Sequence, residues 1–215
     1  MEIFDTLAQH GVVPVIALDD AAAALPLADA LMAGGLPVAE ITFRTAAARD
    51  TIAAIARQRP HMIVGAGTVL DEAQLDAALE AGARFALSPG QDGVVLSHAA
   101  RRGLPFAPGI MTPTDLQAAL RAGCRMVKFF PAMAAGGPGM LKKIAARCAH
   151  TGIGLNPTGG VTTDKLPDWL ALPKVRAVGG TWIATRADIA AGRWEKIAAN
   201  ACAAVDLIAE LRRAR

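Results

Sequence analysis

Apolar residues fall into two alternating patterns along this chain. Short runs rich in valine, isoleucine and phenylalanine are followed by longer alanine-rich stretches whose apolar positions recur at helical spacing. The short runs predict eight strands, near Val12–Leu18, Val38–Phe43, Met62–Ala66, Phe85–Ser88, Pro105–Ala107, Met126–Phe130, Ile153–Asn156 and Ala177–Val178. The stretches between them run to roughly 8 to 15 residues, the ordinary size of the helix in a βα unit. One further helix, Ile3–His10, precedes the first strand, and another, Asp188–Arg213, closes the chain.

The punctuation between runs agrees with this reading. Thr112-Pro113-Thr114-Asp115 offers a threonine N-cap, a proline at the first helical position and an acid in the first turn. Gly34, Gly82, Gly103 and Gly123 stand where helices should end. Four strands stop at a proline (Pro89, Pro108, Pro131 and Pro157), which has no amide hydrogen to continue a ladder. Eight evenly spaced βα units in about 200 residues predict a closed (β/α)8 TIM barrel with an extra N-terminal helix. An open doubly wound sheet is the alternative, and the count and spacing favour the barrel. No linker, low-complexity segment or charge run divides residues 1–215, so one domain is expected.

Composition narrows the function classes. A hydrophobic fraction of 53% against 19% charged residues allows a sizeable core. The net charge of +3, with no basic stripe carrying interleaved aromatics, argues against nucleic acid. Arg193, Arg212, Arg213 and Arg215 are expected on a solvated helix end. Cys124, Cys148 and Cys202 are scattered, which fits a reducing compartment and no disulfide framework. The four histidines show no metal-ligand spacing, so no metal is expected. Met1-Glu2-Ile3-Phe4-Asp5 is acidic and unlike a signal peptide, and Pro26, Asp29 and Gly34-Gly35 break up the Ala21–Ala39 stretch. A cytoplasmic protein with no membrane partner is the expectation.

Candidate chemistry begins with Lys128, one amine inside Met126-Val127-Lys128-Phe129-Phe130-Pro131. An ammonium is costly to strip of water, and an uncharged amine is a nucleophile toward carbonyls. A lysine at a strand end that extends its head to solvent is the plainer reading. Strand alternation bears on the choice. Glu40, Thr42 and Arg44 share one face of the second strand, opposite Ile41 and Phe43. Met126, Lys128 and Phe130 share one face of the sixth. If the apolar faces meet helices, Glu40 and Lys128 both point inward, as an internal ion pair or as a proton shuttle beside a nucleophile. Gly65-Ala66-Gly67-Thr68 allows close backbone approach and offers a hydroxyl, but lacks the full dinucleotide fingerprint. Asn156-Pro157-Thr158-Gly159-Gly160 and Val178-Gly179-Gly180-Thr181-Trp182 follow the last two strands, where barrels commonly bind phosphate on exposed backbone amides.

Together these strings carry a family resemblance. Val12-Val-Pro-Val-Ile16, Glu40-Ile-Thr-Phe-Arg44-Thr45, Val64-Gly-Ala-Gly-Thr68, Ser88-Pro89-Gly90, Lys128-Phe-Phe-Pro131, Pro157-Thr-Gly-Gly160 and Gly179-Gly-Thr-Trp182 occur in order through nearly the whole chain. They resemble the 2-keto-3-deoxy-6-phosphogluconate and 4-hydroxy-2-oxoglutarate aldolases. The resemblance implies a (β/α)8 barrel, a homotrimer and a class I aldolase needing no metal or other cofactor. It implies that Lys128 forms the Schiff base and Glu40 is the general acid/base. Arg44 and Thr68 would hold the pyruvate carboxylate, with Pro89 and Phe130 also lining the substrate site. Thr158 would contact the substrate hydroxyl region, and Gly159, Gly160, Gly180 and Thr181 would hold the phosphate. The implied partner is a small phosphorylated keto acid.

Two departures stand out. Met133 replaces a glutamate frequent after Lys-Phe-Phe-Pro-Ala, and altered loop contacts are expected there. Thr181 replaces a common serine, keeping the hydroxyl and adding a methyl. The gluconate type is favoured over the galactonate type because Arg44 and the Pro-Thr-Gly-Gly string are both present. Other classes compatible with the phosphate loops are a metal-free phosphosugar isomerase or synthase and a non-catalytic phosphometabolite-binding barrel. A metal-dependent class II aldolase is disfavoured.

Overall fold

A computed structural model of the chain describes residues 3–213. Its strands are β1 (Val12–Ile16), β2 (Val38–Thr42), β3 (Ile63–Gly67), β4 (Ala86–Leu87), β5 (Phe106–Ala107), β6 (Gly109–Ile110), β7 (Met126–Phe129), β8 (Gly154–Pro157) and β9 (Val178–Gly180). The helices are α1 (Ile3–His10), α2 (Ala24–Ala33), α3 (Ala48–Gln58), α4 (Glu72–Glu80), α5 (Gly93–Arg102), α6 (Pro113–Arg121), α7 (Gly137–Ala146), α8 (Leu166–Leu170), α9 (Arg186–Ala190) and α10 (Trp194–Arg213). This is an α/β fold whose strands all pair in parallel.

The single eight-stranded ladder expected from the repeat count is not formed. The strands make a six-stranded sheet, β5-β4-β3-β2-β1-β9, and a three-stranded sheet, β6-β7-β8. Pro108 is one cause. It cannot donate, so the fifth strand ends at Ala107, as expected, and an additional strand, β6, begins beyond it in the other sheet. The Pro108 carbonyl still accepts from Lys128 N at 2.8 Å. At the other seam, the β8 side and the segment around β9 meet through isolated bridges, Thr158 with Gly179 and Leu155 with Val175.

Registered partners in a parallel pair point to the same side of the sheet. Val15, Glu40 and Gly65 are partners across β1, β2 and β3, and Gly109, Lys128 and Asn156 across β6, β7 and β8. The opposite faces carry the core. Ile41 and Phe129 are fully buried, and the Phe129 ring meets Trp169 of α8 with centroids 6.4 Å apart and planes tilted by 57°. Burying such a ring stabilises the fold by about 3 kcal/mol. Glycine sets the space on the Glu40 side. A Cβ on Gly65 would overlap the buried Phe85 ring, and one on Gly67 would overlap the Glu40 carboxylate.

The helix expected over Asp188–Arg213 is two helices. Gly192, at φ 63°, turns the chain between α9 and α10. Asp188 explains the turn. Its buried carboxylate accepts from Thr185 Oγ1 at 2.6 Å, from Arg193 Nε at 2.5 Å and from Lys196 Nζ at 2.9 Å, folding α10 back onto the start of α9. Arg193 is therefore an ion-pair partner and not a free solvated cation. Arg212 is exposed in the last turn of α10, as expected, and donates to the Ala8 and Gln9 carbonyls at the end of α1. Met1, Glu2 and Arg215 lie outside the described residues.

Candidate active site

Lys128 reaches across from the three-stranded sheet to Glu40 of the six-stranded one. Nζ donates to Oε1 at 2.8 Å, and the side chains are 4% and 0% exposed. The Phe130 ring lies beside the amine, 5.7 Å from Nζ to the centroid. Glu40 Oε2 is buried and accepts from no described residue. A buried carboxylate with one oxygen on an amine and the other unengaged is arranged to pass protons to a third group. The plain reading of Lys128 as a solvent-seeking lysine does not fit this burial.

Arg44 stands above Glu40 at the end of the same strand face. Its Nε donates to Thr42 Oγ1 at 3.0 Å, and Thr42 in turn donates to the Ile16 carbonyl at 2.8 Å. Thr42 thus ties the arginine to the neighbouring strand. The alternation of Glu40, Thr42 and Arg44 was visible in the sequence, but the positioning role of Thr42 was not. Arg44 also lines an open cleft of about 330 Å³ together with Val15, Ala17, Thr181, Thr185 and Arg186. That cleft joins the candidate carboxylate clamp to one candidate phosphate residue. At its rim Arg186 is paired with Asp19, and this pairing holds the Asp19 carboxyl below its ordinary range.

The glycine turns have specific geometric causes. Gly159 and Gly160 adopt φ 102° and 73°, backbone that side chains avoid. Ala132 N donates to the Thr158 carbonyl at 2.8 Å and Met133 N to that of Gly159 at 3.0 Å. These bonds clamp the segment after β7 onto the turn after β8. Met133 packs there: a Cβ on Gly160 would lie 2.9 Å from Met133 Cβ. Gly179 leaves room for the Thr158 hydroxyl, and Gly180 for the Trp182 ring.

Thr68 and Pro89 occupy the ends of β3 and β4, whose turns are joined by Val69 N donating to the Leu87 carbonyl at 3.1 Å. Thr68 has φ 56°, a region that β-branched residues rarely enter and that costs about 1–3 kcal/mol. Pro89 packs its carbonyl so closely on Gly109 that no Cβ fits there. Among the described residues, neither Thr68 nor Pro89 forms a side-chain hydrogen bond to Lys128 or Glu40. Asn156 was overlooked as a site residue. It is buried, aligned with Lys128 across β7 and β8, and its Oδ1 accepts from Thr158 Oγ1 at 2.7 Å. Its alternation with Thr158 along one strand was the available signal.

A larger cleft of about 400 Å³, lined by Phe4, Leu96, Phe106 and Cys124, lies away from this constellation. It brings no acid–base pair together, and burial pushes the Cys124 thiol above its usual range, so it is not the reaction centre. Among the described residues no three His, Cys, Asp or Glu side chains converge as a metal site, and no helix is long and apolar enough to cross a membrane.

Known proteins resemble this chain in sequence and fold. The aldolase family model described as KDPG and KHG aldolase matches residues 3–200. The 2-dehydro-3-deoxy-phosphogluconate aldolase of Pseudomonas aeruginosa is 41% identical over 210 residues, which is 97% of this chain and 94% of that protein. The KHG/KDPG aldolase of Escherichia coli is 42% identical over 195 residues, covering 91% of each. The KDPG aldolase of Legionella pneumophila, solved with pyruvate captured as a covalent carbinolamine intermediate, superposes with a TM-score of 0.89 at 37% identity, over 93% of this chain and 97% of that one. The chain belongs to the KDPG and KHG aldolase family and is a carbon–carbon lyase.

Proposed function

We propose that this aldolase cleaves 2-keto-3-deoxy-6-phosphogluconate to pyruvate and glyceraldehyde 3-phosphate through a Schiff base on Lys128, and also cleaves 4-hydroxy-2-oxoglutarate to pyruvate and glyoxylate. The observation that carries this reading is the 2.8 Å contact between the buried Lys128 amine and the Glu40 carboxylate. Glu40 takes a proton from Lys128, and the amine attacks C2 of the keto acid. Glu40 returns that proton to the C2 oxygen, takes a second proton from the added nitrogen, and delivers it to the hydroxyl as this leaves as water, giving the iminium. Glu40 next removes the C4 hydroxyl proton. The C3–C4 electron pair flows into the iminium, the aldehyde departs, and an enamine of pyruvate remains. Protonation at C3 and hydrolysis release pyruvate and restore the lysine.

Arg44 and Thr68 bind the carboxylate, with Pro89 and Phe130 forming the walls. Thr158 meets a substrate hydroxyl, and Gly159, Gly160, Gly180 and Thr181 bind the phosphate. We also read residues 1–215 as one cytoplasmic domain that works as a homotrimer. Its two sheets complete a (β/α)8 barrel, a reading supported by the Pro108 carbonyl bond and the Thr158–Gly179 bridge.

Borohydride reduction in the presence of pyruvate tests the chemistry. A pyruvyl adduct on Lys128, lost in Lys128→Ala together with cleavage, is expected. An active enzyme that gains no adduct on Lys128 would overturn the mechanism. Turnover on gluconate-type, galactonate-type and 4-hydroxy-2-oxoglutarate substrates, with the gluconate type fastest, tests the substrate.

A further inference from the structure

We propose that Asn156 is a further catalytic residue, whose amide N–H donates to the C2 oxygen of the keto acid as Lys128 attacks. The proposal rests on Lys128 being the Schiff-base lysine.

Three observations carry it. Asn156 and Lys128 are registered partners on β8 and β7, so their side chains leave the same face of the sheet next to one another. Asn156 is 1% exposed, and its oxygen is already engaged by the Thr158 hydroxyl at 2.7 Å. Its Nδ2 donates to no described residue. Asparagine is a poor choice for a purely apolar packing position, and an amide nitrogen with no described acceptor is available to a bound molecule. With the Thr158 hydroxyl donating to Oδ1, Nδ2 is the end of the amide that remains available.

The chemistry supplies the acceptor. When the Lys128 nitrogen bonds to C2, the C=O π electrons move onto oxygen, which becomes negative before Glu40 protonates it. Glu40 Oε1 occupies one side of the amine. Asn156 stands on the adjacent strand and is buried, and a donor held away from water acts most strongly on a developing charge. Arg44, at the strand end, is left to the carboxylate. No atom is transferred by Asn156. It donates one hydrogen bond, strengthened as charge develops and relaxed when water leaves.

The test isolates the pyruvate half-reaction. Exchange of the pyruvate methyl protons in D2O, followed by proton NMR, requires iminium and enamine formation but no carbon–carbon cleavage. Asn156→Ala, and Asn156→Leu as a neutral isostere, are compared with the wild type, with thermal melting as the check on folding. We expect either folded variant to exchange about 100- to 1,000-fold more slowly, as for loss of one oxyanion donor. We also expect the pyruvate concentration at half-maximal rate to change by less than about fivefold, since the interaction belongs to the transition state. If Asn156→Ala does not fold, the leucine variant decides. A folded variant that exchanges within threefold of the wild-type rate overturns the proposal. Absence of borohydride trapping in the wild type instead overturns the Lys128 reading beneath it.

Discussion

No side chain fits on Gly67, because the place its Cβ would take is filled by Oε1 of Glu40. The glycine on β3 therefore sets how far the carboxylate on β2 leans toward Lys128. Gly67→Ala should push the carboxylate aside while leaving the strands paired. Displacements near 1 Å at a reacting group lower rates by about 100-fold. The expected result is a kcat for keto-acid cleavage reduced by about that factor with KM changed far less, read in a coupled assay for pyruvate.

Thr42 makes a different prediction. Its hydroxyl accepts from Arg44 and donates to the Ile16 carbonyl, so Thr42→Val frees the guanidinium and removes the tie to that carbonyl. The loss is on the order of 1–2 kcal/mol. It should raise the KM for pyruvate-bearing substrates by about tenfold and lower kcat less, in steady-state kinetics.

Packing inside the six-stranded sheet can be tested at Gly65, where an added methyl meets the Phe85 ring. Gly65→Ala should destabilise the protein by about 1–3 kcal/mol in urea titration. Phe85→Leu should recover part of that loss when combined with it, giving a non-additive double-mutant cycle.

Acid stability should report on Asp188. Hydrogen bonds from Thr185, Lys196 and Arg193 hold its carboxyl far below the usual range. Its folded pKa is thus below the unfolded value of about 3.9. Stability from this group is present above that value and is lost as pH falls through it toward the folded pKa. Wild-type unfolding free energy should drop more steeply between about pH 5 and pH 2 than that of Asp188→Asn. At neutral pH the asparagine variant should melt at a lower temperature.

Alternation along single strands made much of this site legible in the sequence. Glu40 and Lys128 do share an interior, as the side-chain parity of β2 and β7 required, and Ile3–His10 is α1 to the residue. What parity cannot supply is pairing between strands. Pro108 does end a strand, but the additional strand beyond it, β6, was not expected, and its place in the other sheet depends on which neighbours it meets. Asp188 looked like the start of a long helix because its partners Thr185, Arg193 and Lys196 come together only after Gly192 turns. Asn156 was hidden inside a string read as a phosphate turn, and only its register with Lys128 sets it beside the amine.

The two groups proposed to do the chemistry belong to different sheets: Glu40 to the six-stranded one and Lys128 to the three-stranded one. Their contact is therefore a gauge of how those sheets are aligned. A slide of either piece along the Pro108 break or the Leu155–Val175 bridge would lengthen the 2.8 Å contact without altering any residue that meets substrate. Substitutions at these seams act as fine adjustment of the reaction from a distance, and they are where variation between otherwise matching enzymes of this kind should change turnover while leaving the substrate pocket intact.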